Sequence, residues 1–432
     1  MLKTIVQHSS KLVAFINALN LALYQPQIRH LTQILDALLV CNQEKTLTNL
    51  SRQLEKEVHP KNAADFFRES PWESKSLSIA RKQFMVTSLL KTAQAFKEHL
   101  PLFIGIDDSL GEKDKATRHL EGVTFQYNHN EGTSKRPTYT NGYVYVEVHL
   151  QLGPLGFTYD TRLYLRENTV RHLNRQRDAQ NRLHYRSKYA LARELLVELQ
   201  TLLPKGYPVY VLFDSWYASA KLINFCRRQR WQVICAIKSN RRIEKTRIDR
   251  HNLMLKHKPY QKIELEAVDH HHKVPSYYTR TVRGHLEDMS GEVCAIISKR
   301  HPGDKRPKYF ICTDLTLSVQ KALRYYQKRW PIEVDNLYLK EALGLGDFRL
   351  QSTEAIERWF AVVTLAMNYL QYEQMQCYQA IQKLISFAEI IRRHRLSHFQ
   401  LLLRKVIAEA LQTDQIEEVV QQFMPIAGWA VT

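Results

Sequence analysis

Four residues, Tyr326, Arg329, Glu333 and Lys340, follow one another at offsets of three, four and seven. At 100° per residue, such offsets gather all four side chains within about 60° of one helix face. A carboxylate sharing a stripe with a guanidinium, an ammonium and a phenol suits the grip of a phosphate beside a metal ion. The plain alternative is a solvated charged face held by pairing one turn apart. Two further acids favour the chemical reading. Asp107 and Asp214 each close an apolar run, residues 102–106 and 209–213, that reads as a buried strand.

Bringing three carboxylates together needs a reason, because two of them about 4 Å apart repel by roughly 4 kcal/mol at an effective dielectric of 20. A divalent cation reverses that sign, and an all-oxygen carboxylate site favours Mg²⁺ or Mn²⁺ over zinc. Two such ions about 4 Å apart suit phosphodiester chemistry. In this arrangement Asp107 bridges both ions, and Asp214 and Glu333 each hold one. Asp108 competes for the first position, and since neighbouring strand residues face opposite ways, only one of the pair should enter the site. Arg329 would bind phosphate oxygens in a fork, Lys340 would act as a point charge, and Tyr326 would donate its hydroxyl. Trp330, at the edge of the same face, is placed to stack an unpaired base. Pro331 cannot donate to the carbonyl of Gln327, so the helix is either kinked or begins there.

The elements that must position these groups are legible as pattern. Residues 1–98 read as helical, and within them two short helices at 48–57 and 63–69 flank a turn at 59–62. That pair suits either a helix-turn-helix that binds DNA or a plain helical hairpin packed on the core. Residues 99–238 carry strands at 102–106, 143–152, 156–166, 209–213 and 232–237, with helices at 190–203 and about 217–228. Their order makes an α/β core with a mixed sheet. Residues 239–318 contain further strand-like pieces and read as a β-rich insertion. Helical patterning returns over 319–375, which holds Glu333, and continues through a C-terminal region, 376–432.

Charge narrows the partner. Against 43 acids stand 62 Lys and Arg, a formal charge of +19 with a pI near 9.5, and the commonest polyanion is nucleic acid. Eight cations against two acids over residues 162–188, and nine against two over 238–262, suit phosphate tracking, with Lys238, just beyond a strand, as the leading individual contact. Six scattered cysteines without a CxxC pair read as reduced thiols of a cytoplasmic protein. The apolar stretch 12–23 reads as an amphipathic helix of the mature protein, and no run of about 20 apolar residues suggests a membrane partner. His270, His271 and His272 lack companion ligands at zinc-like spacing and read as a loop. Trp72, Trp216, Trp231 and Trp359 read as core. Glycine motifs for nucleotide phosphates are absent.

The pattern Tyr-x2-Arg-x3-Glu-x6-Lys at Tyr326, Arg329, Glu333 and Lys340 resembles the signature of DDE transposases in the IS-four group of bacterial insertion sequences and its IS-seven-hundred-one relatives. Ile106-Asp107-Asp108-Ser109 is similar to that family's first-aspartate segment and favours Asp107, while Phe213-Asp214-Ser215-Trp216-Tyr217 is similar to its second. The likeness covers about residues 100–370. It implies an RNase H-like fold with a β insertion between the second aspartate and the glutamate. It also implies a homodimer that cuts transposon ends and joins them to target DNA, acting at the bacterial nucleoid. In better-known members a DNA hairpin forms and an aromatic side chain holds a flipped base, a part that falls to Trp330. Two rivals share these residues: an RNase H-like nuclease without strand transfer, and a non-catalytic DNA-binding protein derived from a transposase. A carboxylate-pair glycosidase is disfavoured by the positive charge.

Overall fold

The computed structural model describes residues 3–56, 59–96, 100–128, 131–132, 136–265, 275–413 and 415–424. Helical spacing near the start produces α1 (Ser10–Ala18), α2 (Gln25–Val40), α3 (Leu47–Ser51), α4 (Pro60–Arg68) and α5 (Ser74–Ala93). Thr46 caps α3 by accepting the Asn49 N–H at 3.2 Å, and Pro60 opens α4, where its missing N–H is harmless. The helix expected over 48–57 is shorter than its pattern because Leu54 leaves it to bridge Ile5.

Next comes a run of strands: β1 (Leu102–Glu112), β2 (Thr124–Tyr127), β3 (Tyr139–Leu152) and β4 (Leu155–Tyr164). Gly153, with φ +61°, supplies the left-handed residue of the β3–β4 turn. There follow α6 (Glu167–Leu173), α7 (Lys188–Gln200), β5 (Val209–Phe213), α8 (Ala220–Arg228) and β6 (Gln232–Ile237).

The stretch expected as a β-rich insertion holds β7 (Arg242–Ile243), β8 (Thr246–Arg247), α9 (Ile248–Met254), β9 (Gln261–Glu264), β10 (Ser276–His285), β11 (Glu292–Lys299) and β12 (Lys308–Cys312). The chain then runs through α10 (Val319–Gln327), α11 (Pro331–Leu337), a wide π-type turn (Tyr338–Ala342), α12 (Thr353–Ile381), α13 (Phe387–Thr413) and α14 (Ile416–Phe423).

Among the described residues, one ten-stranded sheet runs β2-β3-β1-β5-β6-β12-β11-β10-β9, with β4 also paired to β3. β5 is parallel to both β1 and β6, and the remaining pairs are antiparallel. The mixed α/β architecture follows directly. β9 to β12 continue that sheet beyond β6, while β7 and β8 pair with each other in a separate two-stranded sheet. No described helix is long and apolar enough to cross a membrane.

Alternation along β1 and β5 sorts the core onto two faces. Leu102, Ile104, Ile106, Val211 and Phe213 belong to the large apolar cluster that includes Leu191 and Leu195 of α7 and Trp359 of α12. Phe103, Tyr210 and Leu212 join Ile234, Phe310 and Cys312 beneath Ala322 and Leu323 of α10.

Candidate active site

Register brings the two aspartates together. Ile106 pairs with Phe213 at the end of the parallel β1–β5 ladder, so Asp107 and Asp214 are the next residues on neighbouring strands. Both follow residues of the first core face and therefore turn to the second, where α10 and α11 lie. The expectation that Asp107 ends its strand needs correction. β1 continues to Glu112 because its antiparallel pairing with β3 outlasts its pairing with β5. Asp107 thus sits within a strand, at the point where one neighbour drops away.

Parity also separates Asp107 from Asp108. Asp107 Oδ2 accepts Arg329 Nη1 at 2.6 Å, whereas Asp108 Oδ2 accepts Lys188 Nζ of α7 at 2.6 Å. Asp214 uses Oδ1 to accept the N–H groups of Trp216 (2.9 Å) and Tyr217 (3.4 Å), an Asx-type turn. The cap of α8 is Ser219 rather than Asp214.

Pro331 opens a new helix, the second of the two alternatives left by its missing N–H. α10 stops at Gln327, and three-residue bonds carry the chain across the gap, including Trp330 N–H to Gln327 O at 3.0 Å and Glu333 N–H to Trp330 O at 2.9 Å. The guanidinium of Arg329 still reaches the helix beyond, donating Nη2 to Glu333 Oε1 at 3.0 Å. One cation therefore links Asp107 and Glu333. Lys340 lies in the π-type turn and donates Nζ to the carbonyl of Leu110 at 2.7 Å, tying that turn to β1. Tyr326 packs its ring on Phe310, and burial raises its hydroxyl to about 12. Trp330 projects to solvent, 66% exposed.

The acids bear on one another. Burial first, then repulsion from Asp214 and Glu333, pushes the Asp107 carboxyl up to about 7 against the opposing charge of Arg329. Burial and like charge together outweigh the single guanidinium.

Residues 21–262 match the family model described as DDE superfamily endonuclease, a span that includes Asp107 and Asp214. The chain belongs to that family. A second model, described as Transposase DDE domain, matches residues 184–369, which include Asp214 and Glu333, and together the matches support a DDE transposase. A cryo-EM structure of the piggyBac transposase synaptic complex with hairpin DNA is similar over 98% of this chain and 84% of that one, with 12% identity and a TM-score of 0.44. No curated protein matches.

In this DDE transposase the donor set fits a hard divalent cation. It is built from carboxylate oxygens, it lies partly buried, and one guanidinium serves both Asp107 and Glu333. Sequence patterning missed several neighbours. Glu147 stands directly across from Asp107 on β3, fully buried, and burial followed by repulsion from Asp335 and Asp107 raises its carboxyl well above the ordinary range. Its position in an alternating strand carries no signal that the polar face is covered. Behind it, Asp335 of α11 accepts Thr158 Oγ1 at 2.7 Å and Gln371 Nε2 at 3.1 Å and bonds His149 Nδ1 at 2.5 Å.

On the other face of β1, Lys188 lies 5.7 Å from the Trp216 ring centroid and Lys238 lies 5.6 Å from it. Trp72, Trp231 and Trp359 are buried as expected, but Trp216 is 39% exposed, because the Asx turn at Asp214 lifts it off the sheet. His270, His271 and His272 lie outside the described residues.

Proposed function

We propose that this DDE transposase catalyses cut-and-paste transposition of a bacterial insertion sequence, as a homodimer of the IS-four-like type, on transposon-end and target DNA at the nucleoid. The observation that carries the reading is the Ile106–Phe213 register, which sets Asp107 beside Asp214 while Arg329 joins Asp107 to Glu333. In this reading residues 99–238 and 319–375 form an RNase H-like core and 239–318 its insertion. Residues 1–98 form a helical DNA-binding domain, and 376–432 a helical C-terminal region.

Asp107, Asp214 and Glu333 would hold two Mg²⁺ or Mn²⁺ ions, which when bound activate the attacking oxygen and stabilise the leaving one. The chain's own groups place the DNA. Arg329 meets phosphate oxygens with the forked geometry it now offers to Asp107 and Glu333. Lys340, anchored on Leu110, keeps positive charge beside the scissile phosphate, and Tyr326 fixes the floor of the site through Phe310. Trp330 presents an exposed ring for an unpaired base, and Lys238 offers its ammonium to the backbone at the rim. In the first step water attacks the end phosphodiester and the P–O3′ bond breaks, leaving a transposon 3′-hydroxyl. In the second, that hydroxyl attacks a target phosphate and displaces the target's own 3′-oxygen.

The test is cleavage of a labelled transposon-end duplex in Mg²⁺, followed by a joining assay with paired ends. Asp214→Ala should abolish cleavage while leaving salt-sensitive DNA binding in place. Full cleavage by that variant would sink the proposal, and cleavage without joining by the unaltered protein would assign a nuclease instead.

A further inference from the structure

We propose that Asp36, His394 and His398 form a second metal site, one for a zinc-type cation that clamps α2 to α13, with His8 bonded to the other Asp36 oxygen. His394 and His398 lie four residues apart and so share one face of α13. Each Nε2 stands 2.8 Å from Asp36 Oδ1, and His8 Nδ1 stands 2.9 Å from Asp36 Oδ2. The ligand atoms of Asp36, His394 and His398 all fall within 4.8 Å of one another, and all three residues are buried. A tetrahedral zinc ion with bonds of 2.0–2.1 Å spans ligand edges of roughly 3.3 Å. The two Asp36–imidazole edges therefore need to open by about half an ångström to admit one.

Charge makes the case for a cation. Asp36 has no solvent exposure, and its ion-pair partners among the described residues are His8, His394 and His398 alone, with no Lys or Arg. Burial would raise the Asp36 carboxyl, yet the hydrogen bonds from His394, His398 and His8 hold it well below the usual carboxylate range. A buried carboxylate must find positive charge, and a dication supplies it while His394 and His398 serve as ligands. Imidazole and carboxylate donors without a thiolate suit Zn²⁺. The His8 side chain, 29% exposed, leaves an entry path. The hydrogen-bonded knot without metal is the competing account, and His398 Nδ1 is buried without a hydrogen-bond partner in either.

The clamp would also bear on the candidate active site. Phe387, which opens α13, packs edge-on against Tyr338 of the turn that holds Lys340, with centroids 5.2 Å apart.

Other sites that attract metal must be removed before the test. The full chain, purified without a histidine tag, would carry Asp107→Asn, Asp214→Asn, Glu333→Gln, His270→Ala, His271→Ala and His272→Ala. In that background Zn²⁺ should bind at one equivalent and raise the unfolding temperature, and Co²⁺ should give the visible absorption of a four-coordinate, histidine-ligated ion. His394→Gln or His398→Gln should abolish both. A folded background protein that takes up no Zn²⁺ at micromolar concentrations overturns the site in favour of the hydrogen-bonded knot. So does uptake that survives either glutamine variant. Should the variants fail to fold, the Co²⁺ spectrum of the background protein decides, with octahedral all-oxygen absorption counting against the proposal.

Discussion

Because the Asp107 carboxyl is pushed up to about 7, cation binding at the candidate active site must be coupled to proton release near neutral pH. With that value, the ionised fraction of Asp107 is about one-tenth at pH 6 and nine-tenths at pH 8, so the apparent affinity for Mn²⁺ should rise about tenfold between them. A carboxylate at the ordinary 3.8 would show no change over that range. Near pH 7, binding should release about half a proton through Asp107. The sign for stability is opposite to that of a salt-bridged acid. Between pH 3.8 and about 7 the folded, metal-free protein holds a proton on Asp107 that the unfolded chain has lost, so stability falls as pH rises through that window. At about 1.4 kcal/mol per pH unit, the full loss is about 4 kcal/mol, and the side chain, 19% exposed, is shielded enough for most of it to be felt. The assay is calorimetric Mn²⁺ titration at pH 6 and 8 in buffers of different ionisation enthalpy, alongside thermal unfolding without metal. An Mn²⁺ affinity equal at the two pH values would refute the reasoning. Arg329→Ala should move the midpoint to higher pH, since the guanidinium is the group that holds Asp107 down.

Asp108 faces Lys188 and not the other acids, so Asp108→Asn should retain metal-dependent cleavage in the strand-nicking assay; loss of activity equal to that of Asp107→Asn would mean that parity has been misassigned. Trp330 is largely solvated, so Trp330→Ala should leave the unfolding free energy from urea titration within about 0.5 kcal/mol of the parent while weakening processing of the transposon end. A large loss of stability would show that the ring packs against something. Asp335 meets His149, Thr158 and Gln371 in the interior, so Asp335→Ala should cost about 3–5 kcal/mol by denaturant titration, and a cost below about 1 would remove its claim to anchor α11.

Much of the candidate site was legible because its acids follow apolar runs. Residues 102–106 and 209–213 could hardly be anything but buried strands, and the polar residues that end such runs are conspicuous. The choice between Asp107 and Asp108 was legible only as a rule, that one must face away. Which one does so depends on the faces that α7 and α10 cover, and that is a matter of packing. The helical stripe was half right. Pro331 divides it, and the contact between Arg329 and Glu333 survives because three-residue bonds wind the chain on through Trp330 with little loss of phase. A tryptophan after a strand is usually core, whereas at Trp216 the backbone turns on the side chain of Asp214 and leaves the ring partly exposed.

Glu147, His149 and Gln151 show where pattern reading ends. Alternation along β3 announces a polar face but not what covers it, and in this chain the cover is α11 and α12, which bring polar partners of their own in Asp335 and Gln371. Such a knot is poor ground for stability, since burying charge costs about as much as pairing returns. Its value lies in orientation. α11 is a seven-residue helix that begins at a proline break, too short to fix its own azimuth, and Glu333 points at Asp107 only if that azimuth is right. Asp335, two residues further on and turned to the opposite side, is held by β3, β4 and α12 at once. The buried polar groups therefore aim the exposed one, and a sequence can reveal that relation only once the strands and helices that meet at Asp335 are known to be neighbours.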